Sequence, residues 1–295
     1  MTSWLFVPAD SERKLAKADA AGATDLILDL EDAVLPERKA AARALLPDFL
    51  AADHGGSRVW VRVNALDSGW LLQDLVAAVQ PGVSGIVLPK MQAPEDLLQL
   101  AHYLDVAEAY RGLPAGALRI VALCTETPAA VLRLGELMGR RWPRLAGLMW
   151  GGEDLSTALG AESPREPDGA WRPLYEQARS HCLLAGHALG VAVIDTVYVD
   201  FRNSEGCRHS SLRARTDGFT GKLAIHPDQV ALINQAFTPS AEALARAERV
   251  VHAFASGEGA VALDGQMLDL PHLRHARRLL AQAGRAAASP DEPAP

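Results

Sequence analysis

The chain has 295 residues, 49% of them apolar and 22% charged, with a formal net charge of −7, which suits one large globular domain or two small ones and argues against global disorder. The acidic balance and the lack of Lys/Arg blocks interleaved with aromatics argue against bulk nucleic-acid binding, although a local arginine can still take an anionic ligand. Cys124, Cys182 and Cys207 are odd in number and lack metal-ligand spacing, so they read as reduced thiols of a cytoplasmic protein rather than a disulfide framework or zinc ribbon.

The N-terminal MTSWLFVPADSERK carries no cationic region before its short apolar run. No stretch reaches the ~18 apolar residues of a membrane span, so neither secretion nor membrane insertion is expected. Short apolar, β-branched-rich runs predict eight strands at residues 4–7, 26–28, 59–63, 85–88, 120–124, 145–150, 191–194 and 222–225. Helical periodicity falls between most of them, at 11–21, 38–52, 71–79, 94–110, 128–138 and 173–189. Several of these helices begin with proline at or near the first position, where its missing N–H costs nothing. Eight strands alternating with helices predict a (β/α)8 barrel. The alternative, a doubly wound sheet, would usually show a glycine-rich turn after its first strand, and here that turn reads Pro8-Ala9-Asp10-Ser11. The barrel is expected over residues 1–237. More helix follows, near 227–236, over 241–256 and from Pro271, so 238–285 is expected as a C-terminal helical arm or lid. The Pro/Ala/acidic stretch 286–295 is expected as a disordered tail.

In parallel barrels the chemistry gathers where the strands end. The second run is followed by Asp29, Glu31 and Asp32, the third by Arg62 and Asn64, and the fourth by Lys90. The remaining runs lead to Glu126, Asp154, Asp195 and His226 in turn. Glu126 and Asp154 are hard oxygen donors on adjacent strands, suited to Mg2+; equally, they could cap the helices that begin beside them. The glycine pair Gly151-Gly152 would let the backbone approach a ligand closely. Arg62 alternates toward the barrel interior and needs an anion, either Glu31 or Asp32 or a substrate carboxylate or enolate. Lys90 could reach into the mouth, where a Schiff-base role would require desolvation. Arg13, Lys14 and Lys17 read as a solvated helix face unless the ligand carries phosphates.

The segments LFVPADSERKLAKA, LILDLEDAVLPERKAAAR, VRVN, LPKMQAPEDL, ETP, GGEDL and VIDTVYVDFRNSEG, running on to GFTGKLAIHPDQV, resemble the citrate lyase beta-subunit-like CoA ester lyases of the HpcH/HpaI aldolase group. The likeness runs in order from about Leu5 to Leu280 and is greatest to citramalyl-CoA and malyl-CoA lyases. It implies a (β/α)8 barrel, trimeric or hexameric, that binds Mg2+ and a coenzyme A thioester. By that resemblance Glu126 and Asp154 would hold the metal and Arg62 would stabilise the thioester enolate. Glu31 and Asp32 would hold Arg62 and the hydrated metal, while Lys17 and Arg13 would meet the CoA phosphates. Asp269, in GQMLDLP, would be the acid/base that reaches a neighbouring subunit's mouth. The chain departs from the group at Ala9, where many members have glycine. The implied reaction splits a 3-hydroxyacyl-CoA such as citramalyl-CoA into acetyl-CoA and a 2-oxo acid. The alternatives are a citrate lyase beta subunit acting on an acyl-carrier-protein thioester and a non-catalytic CoA-binding subunit.

Overall fold

The computed structural model describes residues 2–257 and 259–284, so the expected tail 286–295 lies outside the described residues. The strands and helices run β1 (Ser3–Pro8), α1 (Glu12–Leu15), β2 (Asp25–Asp29), α2 (Lys39–Leu50), β3 (Arg58–Arg62), α3 (Leu71–Ala78), β4 (Val83–Leu88) and α4 (Pro94–Arg111). They continue as β5 (Arg119–Leu123), α5 (Pro128–Arg133), β6 (Leu145–Met149), α6 (Gly152–Leu159), α7 (Pro173–Leu189), β7 (Ala192–Asp195), α8 (Ser204–Asp217), β8 (Gly221–Ala224) and α9 (Pro227–Phe237). The last four are α10 (Ala241–Ala253), β9 (Ala260–Leu263), β10 (Gln266–Asp269) and α11 (Leu270–Gln282).

Strands β1 to β8 pair in sequence order, all parallel, and β8 returns to β1 through Ser3↔Lys222 to close the barrel. This is the (β/α)8 architecture that the alternation predicts. Each strand is covered by barrel interior on one side and helices on the other, so the runs are apolar throughout instead of alternating. Trp4, Ile27, Trp60, Val87, Val121, Leu123, Met149, Ile194 and Leu223 fill the barrel, and the Trp4 and Trp60 rings lie 5.1 Å apart. Because side chains alternate along a strand, Asp25 and Asp29 share the inward face of Ile27, and Arg58 and Arg62 share that of Trp60. The register pairs Asp25 with Arg58 at one end of the barrel and Asp29 with Arg62 at the other.

The chain separates into two compact units, Met1–Gln235 and Ala236–Pro295. The second unit is not wholly helical, as expected of an arm. Its strands β9 and β10 form an antiparallel hairpin, joined by Asp264 and Gly265 with φ of +50° and +75°, the left-handed pair that a tight hairpin turn demands. The hairpin and helices α10 and α11 bury Leu244, Val250, Phe254, Leu268, Leu273 and Leu280 among themselves. Further departures are local, and the first is that the expected helix 11–21 is α-helical only over Glu12–Leu15, with a separate 3-10 turn at Asp19–Ala21. The expected helix 128–138 ends at Arg133 and continues as a 3-10 turn, Leu134–Gly139. Helix α8 had no apolar stripe to announce it, because the face it buries is made of Cys207, Ser211 and Ala214. Among the described residues no helix is long and apolar enough to cross a membrane.

Candidate active site

The ends of β2 to β6 bring five carboxylates together. Arg62, on β3, is 9% exposed and grips Asp29 with two parallel hydrogen bonds, Nε to Oδ1 at 2.7 Å and Nη2 to Oδ2 at 2.6 Å. Its remaining nitrogen, Nη1, lies 3.1 Å from Oε2 of Glu31, and its guanidinium rests over the Phe6 ring at 4.5 Å. The expected partners were Glu31 or Asp32; Asp29 is the principal one, because the β2–β3 register sets it directly opposite. Burial raises the Asp29 pKa, but Arg62 and the N–H groups of Glu31 and Ala33 outweigh it and hold the carboxyl below its usual range.

Asp32 belongs to Lys90 instead. The Lys90 ammonium meets Asp32 at 2.8 and 3.0 Å, touches Oε1 of Glu31, and stands 3.9 Å from Asp154. Burial pulls the Lys90 pKa down, but its hydrogen bonds to Asp32 and Glu31 outweigh that and leave it above the ordinary value. The side chain is therefore a fixed charge, unsuited to forming a Schiff base.

Glu126 is 2% exposed. It does not cap α5, which is capped by the Thr127 hydroxyl accepting from the Ala130 N–H at 3.1 Å. Its Oε2 accepts the backbone N–H of Lys90 at 2.5 Å. Burial, then Asp154 and Glu31, push its pKa well above the usual range, with Arg62 opposing. Asp154 sits in the first turn of α6 and is about a third exposed. The glycines before it are packed closely against neighbouring side chains. A Cβ on Gly151 would stand 2.6 Å from Cγ of Glu126, and one on Gly152 would stand 2.6 Å from the Trp171 ring.

The donor chemistry fits a hard divalent cation. Glu126 is a buried carboxylate whose ionised form is disfavoured beside two other acids, so an added positive charge would be strongly welcomed. Among the described residues no cluster of three or more acidic, histidine or cysteine side chains could enclose a metal. Two carboxylates with the remaining positions left to water and substrate oxygens is the pattern Mg2+ takes.

Two other strand-end residues point elsewhere. Asp195 faces the helical layer, one residue out of phase with the inward Ile194, and is consumed by Trp150 Nε1 at 2.7 Å, Arg179 at 3.1 Å and Lys222 at 2.5 Å. His226 stacks on Phe201 with 4.8 Å between ring centroids. Arg13 and Lys17 are exposed on the segment after β1 and take no part in the acid cluster. Asp269 lies in the second unit, at the end of β10, with its Oδ1 2.6 Å from Nδ1 of His272. Sequence reasoning missed the role of Asp29, although the matching four-residue spacing of Asp25/Asp29 and Arg58/Arg62 was a readable signal. It also missed Lys39, whose ammonium binds main-chain oxygens behind the cluster.

Comparison with known proteins agrees with this picture. The HpcH/HpaI aldolase/citrate lyase family profile matches residues 2–227. A (3S)-malyl-CoA thioesterase of Cereibacter sphaeroides is 35% identical, the match covering 97% of this chain and 95% of that protein. The mitochondrial citramalyl-CoA lyase of Homo sapiens is 33% identical, over 95% of this chain and 84% of that protein. The crystal structure of CitE from Mycobacterium tuberculosis in complex with magnesium, acetoacetate and coenzyme A is 36% identical, with a TM-score of 0.81 over 96% of this chain and 98% of that one. With its barrel matched by the profile and at least 95% of its length matched by each of these relatives, the chain belongs to the HpcH/HpaI aldolase/citrate lyase family.

Proposed function

We propose that this protein is a Mg2+-dependent carbon–carbon lyase of CoA thioesters, cleaving (3S)-citramalyl-CoA or a closely related 3-hydroxyacyl-CoA into acetyl-CoA and a 2-oxo acid. The observation that carries the reading is the buried Arg62 guanidinium, aimed by Asp29 and set beside the buried carboxylate of Glu126. The cleaved bond leaves its electron pair on the carbon next to the thioester carbonyl, so negative charge develops on the thioester oxygen. Arg62 is already oriented by Asp29 and Glu31 and meets that charge without reorganising, the condition under which electrostatic stabilisation is largest. Mg2+, held by Glu126 and Asp154, would polarise the oxygen that becomes the new carbonyl. Glu31 and Asp32 keep Arg62 and Lys90 in place. The substrate hydroxyl releases its proton to solvent as the carbonyl forms, the enolate carbon takes one from Asp269, and Asp269 regains a proton from solvent, so protons balance over the turnover. Asp269 acts here from a neighbouring copy in a homotrimer or hexamer, and Lys17 and Arg13 meet the CoA phosphates of a cytoplasmic substrate pool.

The thioesterase relative favours one competing reading, hydrolysis of malyl-CoA. Purified protein incubated with citramalyl-CoA or malyl-CoA and Mg2+ separates the two by product. Acetyl-CoA with pyruvate or glyoxylate supports the lyase, and free CoA with malate supports hydrolysis. Turnover of an acyl-carrier-protein thioester but not of either CoA ester would favour a citrate lyase beta subunit. A protein that binds CoA esters without turning any over would sink the enzymatic reading.

A further inference from the structure

Behind the acid cluster lies a buried cation that the reaction above does not use. Lys39, the first residue of α2, is 6% exposed. Its ammonium donates to two main-chain carbonyls, Leu30 O at 2.9 Å and Glu31 O at 3.1 Å. Burying an ammonium is costly unless its donors are satisfied, so the placement calls for a function. Both carbonyls lie just past the end of β2, where the Leu30 N–H still bonds Arg62 O at 2.9 Å and Glu31 O also accepts the Val34 N–H at 3.1 Å, so the Lys39 ammonium ties together two carbonyls of one short turn.

The same short segment is gripped from a second side. Leu30 O also accepts Nδ2 of Asn64 at 3.0 Å. Asn64 is held by Asp74 through its N–H at 2.8 Å and its Nδ2 at 2.6 Å, and Asp74 is held by Arg43 at 2.9 Å. What this clamp immobilises is the segment that carries Glu31 and Asp32, whose carboxylates hold Arg62 and Lys90.

We propose that Lys39 is a positioning residue of the lyase site, fixing the main chain of Leu30 and Glu31 so that the Glu31 and Asp32 carboxylates stand where Arg62 and Lys90 require them. This rests on the lyase reading given above. Support of this kind around a metal site commonly changes metal affinity or activity by about 10–100-fold when it is removed.

The test is Lys39→Met, which keeps the length of the side chain and removes its donors. Thermal unfolding, Mg2+ titration calorimetry without thioester, and steady-state kinetics are measured together. The expected result is a folded protein whose kcat falls by about tenfold or more with KM for the CoA ester within about threefold, and whose Mg2+ binding weakens by about tenfold. Ethylammonium added to Lys39→Ala should restore several-fold of the lost kcat. As a control, Leu46→Ala lowers the Tm through a cavity in the same helix and should keep kcat within about twofold. A folded Lys39→Met with near-wild-type kcat and Mg2+ affinity overturns the assignment. So does a Lys39→Met that fails to fold, which would make Lys39 a residue the fold needs, and so does a Leu46→Ala that loses kcat equally. The two ideas fail separately: a wild type inert toward thioesters removes the lyase reading, while the Mg2+ titration still decides the clamp.

Discussion

Lys90 holds Glu126 with its backbone rather than its side chain: its N–H donates to Oε2 at 2.5 Å, from a residue whose φ is +49°. A left-handed conformation costs a residue with a Cβ about 1–2 kcal/mol, and here it aims an amide at a buried carboxylate. Glycine adopts that turn freely. Lys90→Gly should therefore be more stable to urea than Lys90→Ala by about 1 kcal/mol. Both variants lose the ammonium that neutralises Glu31 and Asp32, so both should lose the same share of kcat. Equal stabilities would show that the turn carries no strain.

Arg62 cannot be replaced by another cation. Its Nε and Nη2 meet the two Asp29 oxygens together, a fork that lysine lacks. Arg62→Lys should lower kcat by about 10²–10³-fold, the scale of losing one preorganised donor at a developing oxyanion, with KM changed much less. Arg62→Ala leaves Asp29, fully buried, without its partner and should cost about 3–5 kcal/mol of stability. A fully active Arg62→Lys would remove the guanidinium from the mechanism.

Glu126 should behave as a residue kept for a ligand at the expense of the fold. Burial and its acidic neighbours hold its pKa well above the usual range, so at neutral pH the folded protein disfavours the charged form that the unfolded chain adopts freely. The neutral isostere escapes that cost. Without Mg2+, Glu126→Gln should have a Tm equal to or above wild type. With Mg2+ at about 100 times its Kd, wild type should gain about 2.7 kcal/mol and the variant almost nothing. A scanning fluorimetry series over Mg2+ concentration checks both arms, and an equal Mg2+ response in the two proteins would take Glu126 out of the metal site.

Much of the barrel was legible because parallel strands are covered on both faces and read as unbroken apolar runs, as in Leu26-Ile27-Leu28, fully buried on β2. The gathering of Arg62, Glu31, Asp32, Glu126 and Asp154 followed from one rule, that strand ends share a face of the barrel. Finer pairings needed register. Asp29 and Arg62 meet because β2 and β3 run level, whereas Asp195 was misassigned by a single step of alternation. Lys39 looked like an ordinary cation at a helix start, and nothing local says that it turns inward to carbonyls. The β9–β10 hairpin was signalled by Asp264-Gly265, but the four-residue strands beside it are only partly buried and show little contrast to read. Gly151 has a use the sequence did not announce, for its lack of a Cβ leaves room for the Glu126 side chain. Asp269 stood out only through resemblance, since in composition it is one more exposed acid.

A last prediction concerns stability at the end of the barrel away from the acid cluster. Glu108, on α4, is fully buried and receives Arg144 through Nη1 at 2.7 Å and Nη2 at 2.6 Å. The N–H groups of Leu118 and Gly116 add bonds of 2.8 and 2.9 Å. Burial raises its pKa, but the Arg144 bonds and these amides outweigh it and hold the carboxyl below its ordinary value. An acid depressed in the folded state contributes stability that is complete above its unfolded pKa, about 4.3, and is lost as pH falls through the folded value. Glu108→Gln should thus cost about 3 kcal/mol at pH 7, as expected for breaking a buried pair, while leaving kcat unchanged. Urea unfolding at pH 7, 5, 4 and 3.5 should show the gap between wild type and variant intact at the first two and shrinking at the last two. A gap that stays constant with pH would mean that shape, and not the carboxylate charge, is what Arg144 recognises.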